Sequence, residues 1–328
     1  MIGFLLQRLL LFIPTVFVIS IVTFVLIQLP PGDYISSYAA ELEASGQQAD
    51  EALIAALRNR YGLDQPMHIQ YFKWISGILL RGDFGHSMQW NRPVQDLIWD
   101  RIAWTFGISF LTMIFTWILA FPIGIYSATH QYSFFDYSFT FLGFLGQGIP
   151  DFLLALVLMW VAFSVFGQDI GGLYSEAYRN APWSWDKFVD LLKHLWIPVL
   201  VLGISGTASL IRTMRANLLD ELRKPYVVTA RSKGMTERQL VLKYPVRVAL
   251  NPFVSSIAYV LPALVSSATI ISIVLSLPTT GPIQIRSLMS QDMYLAGSIF
   301  LILASLTVLG TLISDILLAI VDPRIRME

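Results

Sequence analysis

The sequence predicts an all-α membrane protein with six transmembrane helices. Hydrophobic residues make up 55% of its 328 positions and charged residues only 13%. The apolar residues form long uncharged runs, and about 20 residues rising 1.5 Å each cross the roughly 30 Å hydrocarbon core of a bilayer. A soluble core does not need such runs, which excludes a large soluble domain. No short internal repeat is apparent, so residues 1–328 are interpreted as one membrane domain.

The composition also excludes several kinds of function. The formal net charge is zero, which argues against nucleic acid as a partner. The chain has no cysteine, hence no disulfide framework and no thiolate chemistry. Its four histidines are scattered and form no cluster with metal-ligand spacing. We therefore expect this chain to bind no metal and no cofactor of its own.

The first predicted span is Leu9–Leu29, with Pro14 near its start. A secretory signal peptide is the alternative, but its apolar region is about 7–15 residues long and ends in small residues. This run is about 21 residues long and ends in Pro30-Pro31-Gly32-Asp33. It is better interpreted as a span that the protein retains.

A polar excursion follows at residues 31–101. Two of its segments show helical apolar patterning, Glu51–Tyr61 after a possible cap at Asp50, and His68–Leu80. A simple linker would not need a buried face. The excursion is therefore predicted to form a small cap on the membrane surface.

The second and third spans are predicted at Trp104–Tyr126 and Tyr137–Phe166. The third is broken at Gly148-Ile149-Pro150-Asp151, because proline removes a backbone donor and clashes with the preceding turn. A carboxylate at membrane depth is costly and should face protein or water. Gln147 and Asp151 are thus candidates for lining a translocation path, and the alternative for Asp151 is a helix cap after the break.

The remaining spans are predicted at Leu195–Ile211, Phe253–Leu277 and Leu295–Ile320. An outer loop is expected to start at Pro278. In the fifth span, small or polar residues fall at helical spacing and share one face. That stripe lines a path or forms a helix-packing seam, since serine and threonine serve both purposes. Its members are Ser255, Tyr259, Pro262, Ser266 and Thr269.

The basic residues predict the orientation. Six spans place both termini, the turn at residues 130–136 and the segment Arg212–Pro252 on one side. We call Arg212–Pro252 the basic segment, since it holds nine Lys/Arg against three Asp/Glu. The positive-inside rule makes this side cytoplasmic.

The basic segment has the pattern of two helices joined by a glycine turn. Pro225 resets the helix that leaves the fourth span, and Gly234 stands where a positive φ ends the next one. Thr236 and Gln239 have capping-box spacing, and Met235 and Leu240 have the spacing of a hydrophobic staple.

The basic segment has three possible interpretations. An ordinary solvated loop needs no caps, and binding to anionic lipid needs no defined turn. Signals on both sides of the turn favour a rigid helical hairpin that fits a groove in another protein.

At these residues the chain resembles the permease subunits of ATP-binding-cassette importers, most of all their oligopeptide, dipeptide and nickel branch. Tyr226–Met235 is similar to the family signature, with Val228, Thr229, Ala230 and Gly234 at the positions of its Glu-Ala-Ala and Gly. The resemblance covers nearly the whole chain. Its further motifs are Pro31-Gly32-Asp33, Tyr61-Gly62-Leu63-Asp64-Gln65-Pro66, Arg81-Gly82-Asp83-Phe84-Gly85-His86-Ser87, Gly148-Ile149-Pro150 and Asp322-Pro323-Arg324-Ile325-Arg326.

The resemblance implies a cytoplasmic coupling helix between spans four and five and a periplasmic cap region between spans one and two. It implies a binding protein that delivers substrate, a second and different permease, and two ATPases that push on the basic segment, all in a bacterial or archaeal cytoplasmic membrane. ATP and Mg²⁺ are expected on those partners, because this chain lacks a phosphate-binding loop and is not an enzyme by itself. The residues expected to meet the ATPase are Ala230, Gly234, Met235, Thr236, Glu237, Arg238, Gln239 and Leu240.

The expected substrate is an oligopeptide or dipeptide. One departure loosens this assignment: after the fifth span the chain reads Pro278-Thr279-Thr280-Gly281, where many peptide permeases have a Glu and then Pro-Gly-Leu-Gly. Related importers of oligosaccharides or opines therefore stay as alternatives. A stand-alone secondary transporter or channel would need intramembrane ionisable residues, for which only Asp151 and Asp315 qualify.

Overall fold

The computed structural model describes residues 2–30, 32, 34–44, 51–168, 171–254 and 268–321. Its described part is mainly helical, with one two-stranded antiparallel hairpin in which His86 pairs with Pro93. The helices in the first part of the chain are α1 (Ile2–Gln28), α2 (Tyr34–Ala44), α3 (Glu51–Tyr61), α4 (Met67–Arg81), α5 (Val94–Thr129), α6 (Phe134–Gly148) and α7 (Asp151–Phe166), and the strands are β1 (His86–Ser87) and β2 (Arg92–Pro93). Those that follow are α8 (Trp185–Leu222), α9 (Pro225–Ser232), α10 (Glu237–Lys243), α11 (Pro245–Ala249), α12 (Thr280–Met289) and α13 (Met293–Val321).

Four helices are long and apolar enough to cross a membrane. They are Leu10–Gln28, Val94–Thr129, Trp185–Leu222 and Met293–Ile316. Helices α6 and α7 are a fifth candidate, bent by 101° at the break before Asp151. The break predicted at Gly148–Asp151 is therefore confirmed. The predicted fifth span falls largely on residues 255–267, outside the described part of the chain, so the count of six stays a prediction.

Several helices continue beyond the apolar portions that were predicted as spans. The second span was placed at Trp104–Tyr126, whereas α5 begins at Val94, inside the predicted excursion. The fourth was placed at Leu195–Ile211, whereas α8 is one helix of 38 residues. Hydropathy marks only the portion that matches the bilayer core. The loop expected from Pro278 is likewise replaced from Thr280 by α12.

The described residues divide into two compact units, one drawn from residues 2–104 and 279–309 and one from residues 105–278 and 310–321. In the first unit α4 packs along α1. The Phe24 ring lies 5.5 Å from the rings of both Tyr71 and Trp74, and the hydroxyls of Ser20 and Tyr71 are 2.8 Å apart. The second half of the predicted cap is thus attached to the first span.

A buried carboxylate in the first unit connects the β1–β2 hairpin to the start of α13. Asp292 is fully buried before α13 and accepts hydrogen bonds from the Ser87 hydroxyl (2.5 Å) and the Gln89 amide (3.2 Å). Burial raises the pKa of Asp292, although these hydrogen bonds act in the opposite direction. The contact fixes the hairpin against the start of α13.

In the second unit α6 lies antiparallel on α8, and glycines set their distance. A Cβ at Gly143 would lie 3.1 Å from the Ala208 Cβ, and one at Gly146 would lie 2.5 Å from the Ile204 Cγ2. Small residues allow such close approach of helices in lipid. The two helices therefore form one packed pair from the start of α6 to the bend.

Candidate functional site

The basic segment begins as the last turns of α8 and continues through three short helices. Lys224 is extended, and Pro225 occupies the first position of α9, where its missing amide is not needed. Helix α9 ends before Gly234, which has φ +80° and donates its amide to the Arg231 carbonyl at 3.0 Å. The predicted reset at Pro225 and the positive-φ turn at Gly234 are both confirmed.

The start of α10 differs from the capping box predicted for Thr236 and Gln239. Thr236 has the extended backbone of an N-cap, but its side chain makes no cap hydrogen bond. Instead, Glu237 reaches back across the turn to Arg231, with Nε–Oε1 at 2.5 Å and a second hydrogen bond of 3.1 Å. The Arg231 guanidinium lowers the pKa of the Glu237 carboxyl. A bidentate ion pair therefore closes the turn in place of the box.

A hydrophobic cluster beneath the turn holds the basic segment together. Met214 and Leu218 from α8 are fully buried in it, together with Leu240 from α10. Met235 packs against the same cluster, as the predicted staple requires. Ala128 of α5 also belongs to the cluster. The basic segment is thus a packed body joined to two membrane helices.

The residues predicted to meet a partner differ in exposure. Ala230 and Leu240 are buried and shape the segment from within, and Met235 is half-buried. The others are exposed and available for contact: Gly234, Thr236, Glu237, Arg238 and Gln239.

Sequence reasoning missed a set of exposed apolar side chains on the same segment. Large exposed apolar groups that lie together are typical of surfaces that contact another protein or the membrane. They are Val228 (55% exposed), Leu242 (49%), Tyr244 (38%) and Val248 (43%). Their signal in the sequence is weak, because burial on helices of five to eight residues does not follow from periodicity alone.

The candidate path residues Gln147 and Asp151 lie together at the bend between α6 and α7. The Arg212 guanidinium donates to the Gln147 side-chain oxygen at 2.9 Å, and the Gln147 amide reaches the Ser205 carbonyl at 3.5 Å. Asp151, half-buried at the first position of α7, interacts with the Ser205 side chain. Arg212 and Ser205 were not among the predicted path residues. Hydrogen bonds among these four residues thus join the bend to α8.

The other path candidates are only partly described. Thr269 is half-buried in a helical stretch at residues 268–274. Ser255, Tyr259 and Ser266 lie outside the described residues. The stripe predicted for the fifth span therefore stays a prediction.

The bend gives a direct test of Asp151. If its carboxylate lines the path, Asp151→Asn is expected to reduce uptake several-fold while the amount of folded protein stays the same. Asparagine keeps the shape and the contact with Ser205 but removes the charge. Uptake is measured in proteoliposomes against wild type. Unchanged uptake would assign Asp151 to the helix N-terminus alone, where a negative charge is favourable.

Within the described residues, no group of three or more histidine and acidic side chains could hold a metal ion.

Comparison with known proteins covers almost the whole chain. Residues 120–327 match the family described as binding-protein-dependent transport system inner membrane component, and residues 1–109 match the N-terminal model of the same transport systems. The chain is 32% identical over 327 residues to the oligopeptide transport system permease protein AppB of Bacillus subtilis (strain 168), covering 99% of this chain and 100% of that protein.

Two further relatives match over their full lengths. A putative peptide permease of Brucella suis biovar 1 (strain 1330) is 34% identical over 330 residues, with 100% of both chains covered. The glutathione transport system permease protein GsiC of Salmonella typhi is 31% identical over 328 residues, again with 100% of both covered.

Proposed function

Because this chain belongs to the family of binding-protein-dependent transport system inner membrane components and is a permease subunit of an ATP-binding-cassette importer, we propose that it forms half of a translocation path for short peptides. The observation that carries the proposal is full-length similarity to permeases named for oligopeptides, peptides and glutathione. Glutathione is itself a tripeptide, so these substrates share one chemistry. Oligosaccharides and opines are the alternative cargo.

We place the chain in the cytoplasmic membrane with six spans. Four helices and the bent pair α6–α7 supply five candidates, and the apolar run at Phe253–Leu277 supplies the sixth. Both termini and the basic segment then face the cytoplasm, where positively charged loops are favoured. Residues 31–101 form the periplasmic cap region.

In this proposal the basic segment is the coupling element between spans four and five. Its exposed tip at Gly234–Gln239 and the apolar side chains Val228, Leu242 and Tyr244 offer a partner both shape and contact area. The partner is an ATPase subunit, two of which bind the ATP and Mg²⁺ of the complete importer. Hydrolysis belongs to them, because the present chain has no phosphate-binding loop.

The rest of the complex follows from the same family. A second permease, which we propose to be a different chain, completes the path, and a binding protein delivers substrate to its outer mouth. Membrane lipid surrounds both permeases. The side chains at the bend, Gln147 and Asp151, contribute to the inner part of the path.

Reconstitution tests this function. The complete importer, with both permeases, the ATPases and the binding protein, is placed in proteoliposomes, and uptake of a radiolabelled tripeptide is measured with and without ATP. We expect uptake only with ATP and binding protein, and none when the ATPases carry a substitution in their phosphate-binding lysine. ATP-driven uptake of an oligosaccharide or an opine but not of peptides would overturn the substrate. Uptake driven by an ion gradient without ATPases would overturn the transporter class.

A further inference from the structure

A buried ion pair joins the start of α6 to the last turns of α8, which open the basic segment. The Arg215 guanidinium lies 3.1 Å from the Asp136 carboxylate, 79 residues earlier in the chain. Asp136 is 4% exposed, whereas the side chain of Arg215 is 30% exposed. A buried carboxylate is costly unless it is paired and hydrogen-bonded, so these two groups depend on each other.

Asp136 also fixes the corner between α5 and α6. The oxygen that meets Arg215 accepts the Tyr132 amide at 3.0 Å, and the Asp136 amide donates to the Ser133 hydroxyl at 3.2 Å. The ring of His130 stacks on that of Tyr126 at 4.6 Å. The corner is therefore rigid, and Arg215 attaches it to α8 at one defined point.

The ion pair lies beside the core of the basic segment. Its arginine follows Met214, which is fully buried in the cluster under the Gly234 turn, as is Leu218 one turn later. From there α6 and α8 stay packed through the glycine contacts as far as Gln147 and its hydrogen bond with Arg212. A displacement of the basic segment thus has a continuous route of contacts to the bend before Asp151.

We propose that the Asp136–Arg215 ion pair is a positioning element that makes α6 move with the basic segment, so that a push on this segment reaches the bend in the path. The proposal rests on the proposed function, since it assigns a role within an ATP-driven importer. Apolar contacts between two helices tolerate small sliding, whereas a guanidinium hydrogen-bonded to a carboxylate at 3.1 Å favours one register. A buried ion pair is weak evidence for stability, and in some proteins such pairs specify one arrangement of the packed elements.

The alternative is that the pair only completes the corner as a cap and neutralises a buried charge. Two variants separate these roles. Asp136→Asn removes the charge and with it the ion pair. An amide oxygen in the place of Oδ2 still accepts from the Tyr132 amide, which keeps the corner, and any contact it retains with Arg215 is a neutral hydrogen bond. The double variant Asp136→Asn/Arg215→Met also removes the arginine, so that neither helix carries an unpaired charge. If the pair has only this structural role, every variant that assembles in normal amount should transport like wild type.

The experiment uses the complete reconstituted importer. Amount of assembled complex, its melting temperature, ATP hydrolysis and peptide uptake are measured for wild type, both variants, Asp136→Glu and Lys193→Gln. Lys193 is an exposed cation on the same helix α8 and serves as the matched control. We expect both neutral variants to assemble, while uptake per ATP hydrolysed falls by about 5-fold or more, the lower end of typical effects between coupled sites. Asp136→Glu is expected to retain more of this ratio, and Lys193→Gln all of it.

Wild-type uptake per ATP in either assembled neutral variant would overturn the proposal. A double variant that assembles in normal amount and shows the wild-type uptake per ATP hydrolysed would also overturn it. Failure of the proposed function has a different signature, because wild-type proteoliposomes would then show no ATP-driven peptide uptake at all.

Discussion

Gly234→Val is expected to abolish most peptide uptake while leaving the permease folded. Gly234 has φ +80°, and nothing lies within 4 Å of a Cβ placed there, so the substitution meets no steric clash with other residues. Its cost is conformational, on the order of 1–2 kcal/mol or more for a β-branched residue in the left-handed region. The backbone relieves this strain by changing the turn, which displaces the exposed tip from the ATPase subunit that we propose as its partner. Uptake and ATP hydrolysis stimulated by the binding protein are the measurements.

Two controls separate the shape of this turn from strain in general. Gly234→Asn should retain much of the uptake, because asparagine tolerates a positive φ. Gly82→Val places valine at φ +65°, again with nothing within 4 Å, but at the end of α4 rather than in the basic segment. It should leave uptake largely intact. Normal uptake by Gly234→Val would remove the turn from the coupling mechanism.

The glycine turn was predictable because its signal is local. Here the residue at positive φ is a glycine, which is visible in the sequence, and so is the proline that resets the helix before it. The predicted capping box did not form, although its sequence signal is equally local. Thr236 has the right position, but Arg231 and Glu237 compete for the same turn, and their ion pair forms instead. Sequence spacing shows which bonds are possible and does not show which of them form.

Helix lengths were less predictable than the existence of the spans. Leu195–Ile211 was chosen from its apolar content, yet α8 continues for about ten residues on either side. The polar extensions are helical because their contacts support them: Ser184 caps the start through the Lys187 amide, and Leu218 is buried near the end. A bilayer-sized apolar run therefore predicts a span and gives only a minimum for its helix.

Contacts between distant parts of the chain had no signal in one sequence. Nothing local links Asp136 to Arg215, or Arg212 to Gln147, although both contacts join α6 to α8. The same holds for Ser87 and Asp292, which are 205 residues apart. Charged residues near a span could be counted from the sequence, but their partners required the fold.

Gly124→Leu is expected to be the most damaging of the helix-packing substitutions. A Cβ at Gly124 would lie 2.7 Å from the Met214 Cβ and 3.1 Å from the Ile211 carbonyl oxygen, neither of which is the free end of a flexible side chain. Overpacking of this kind costs about 1–3 kcal/mol, and leucine adds three more carbons beyond the Cβ. Because Met214 belongs to the core of the basic segment, separation of α5 from α8 should disturb that core as well.

Gly107→Leu is the matched control on the same helix, since nothing lies within 4 Å of a Cβ there. We expect the Gly124 variant to show a lower melting temperature and a several-fold loss of assembled complex, and the Gly107 variant to show neither. Equal losses in the two variants would mean that leucine disturbs α5 itself rather than its contact with α8. A loss confined to Gly124 would establish that close approach of α5 to Met214 holds the basic segment on its membrane helices, which the proposed transmission of an ATPase-driven movement requires.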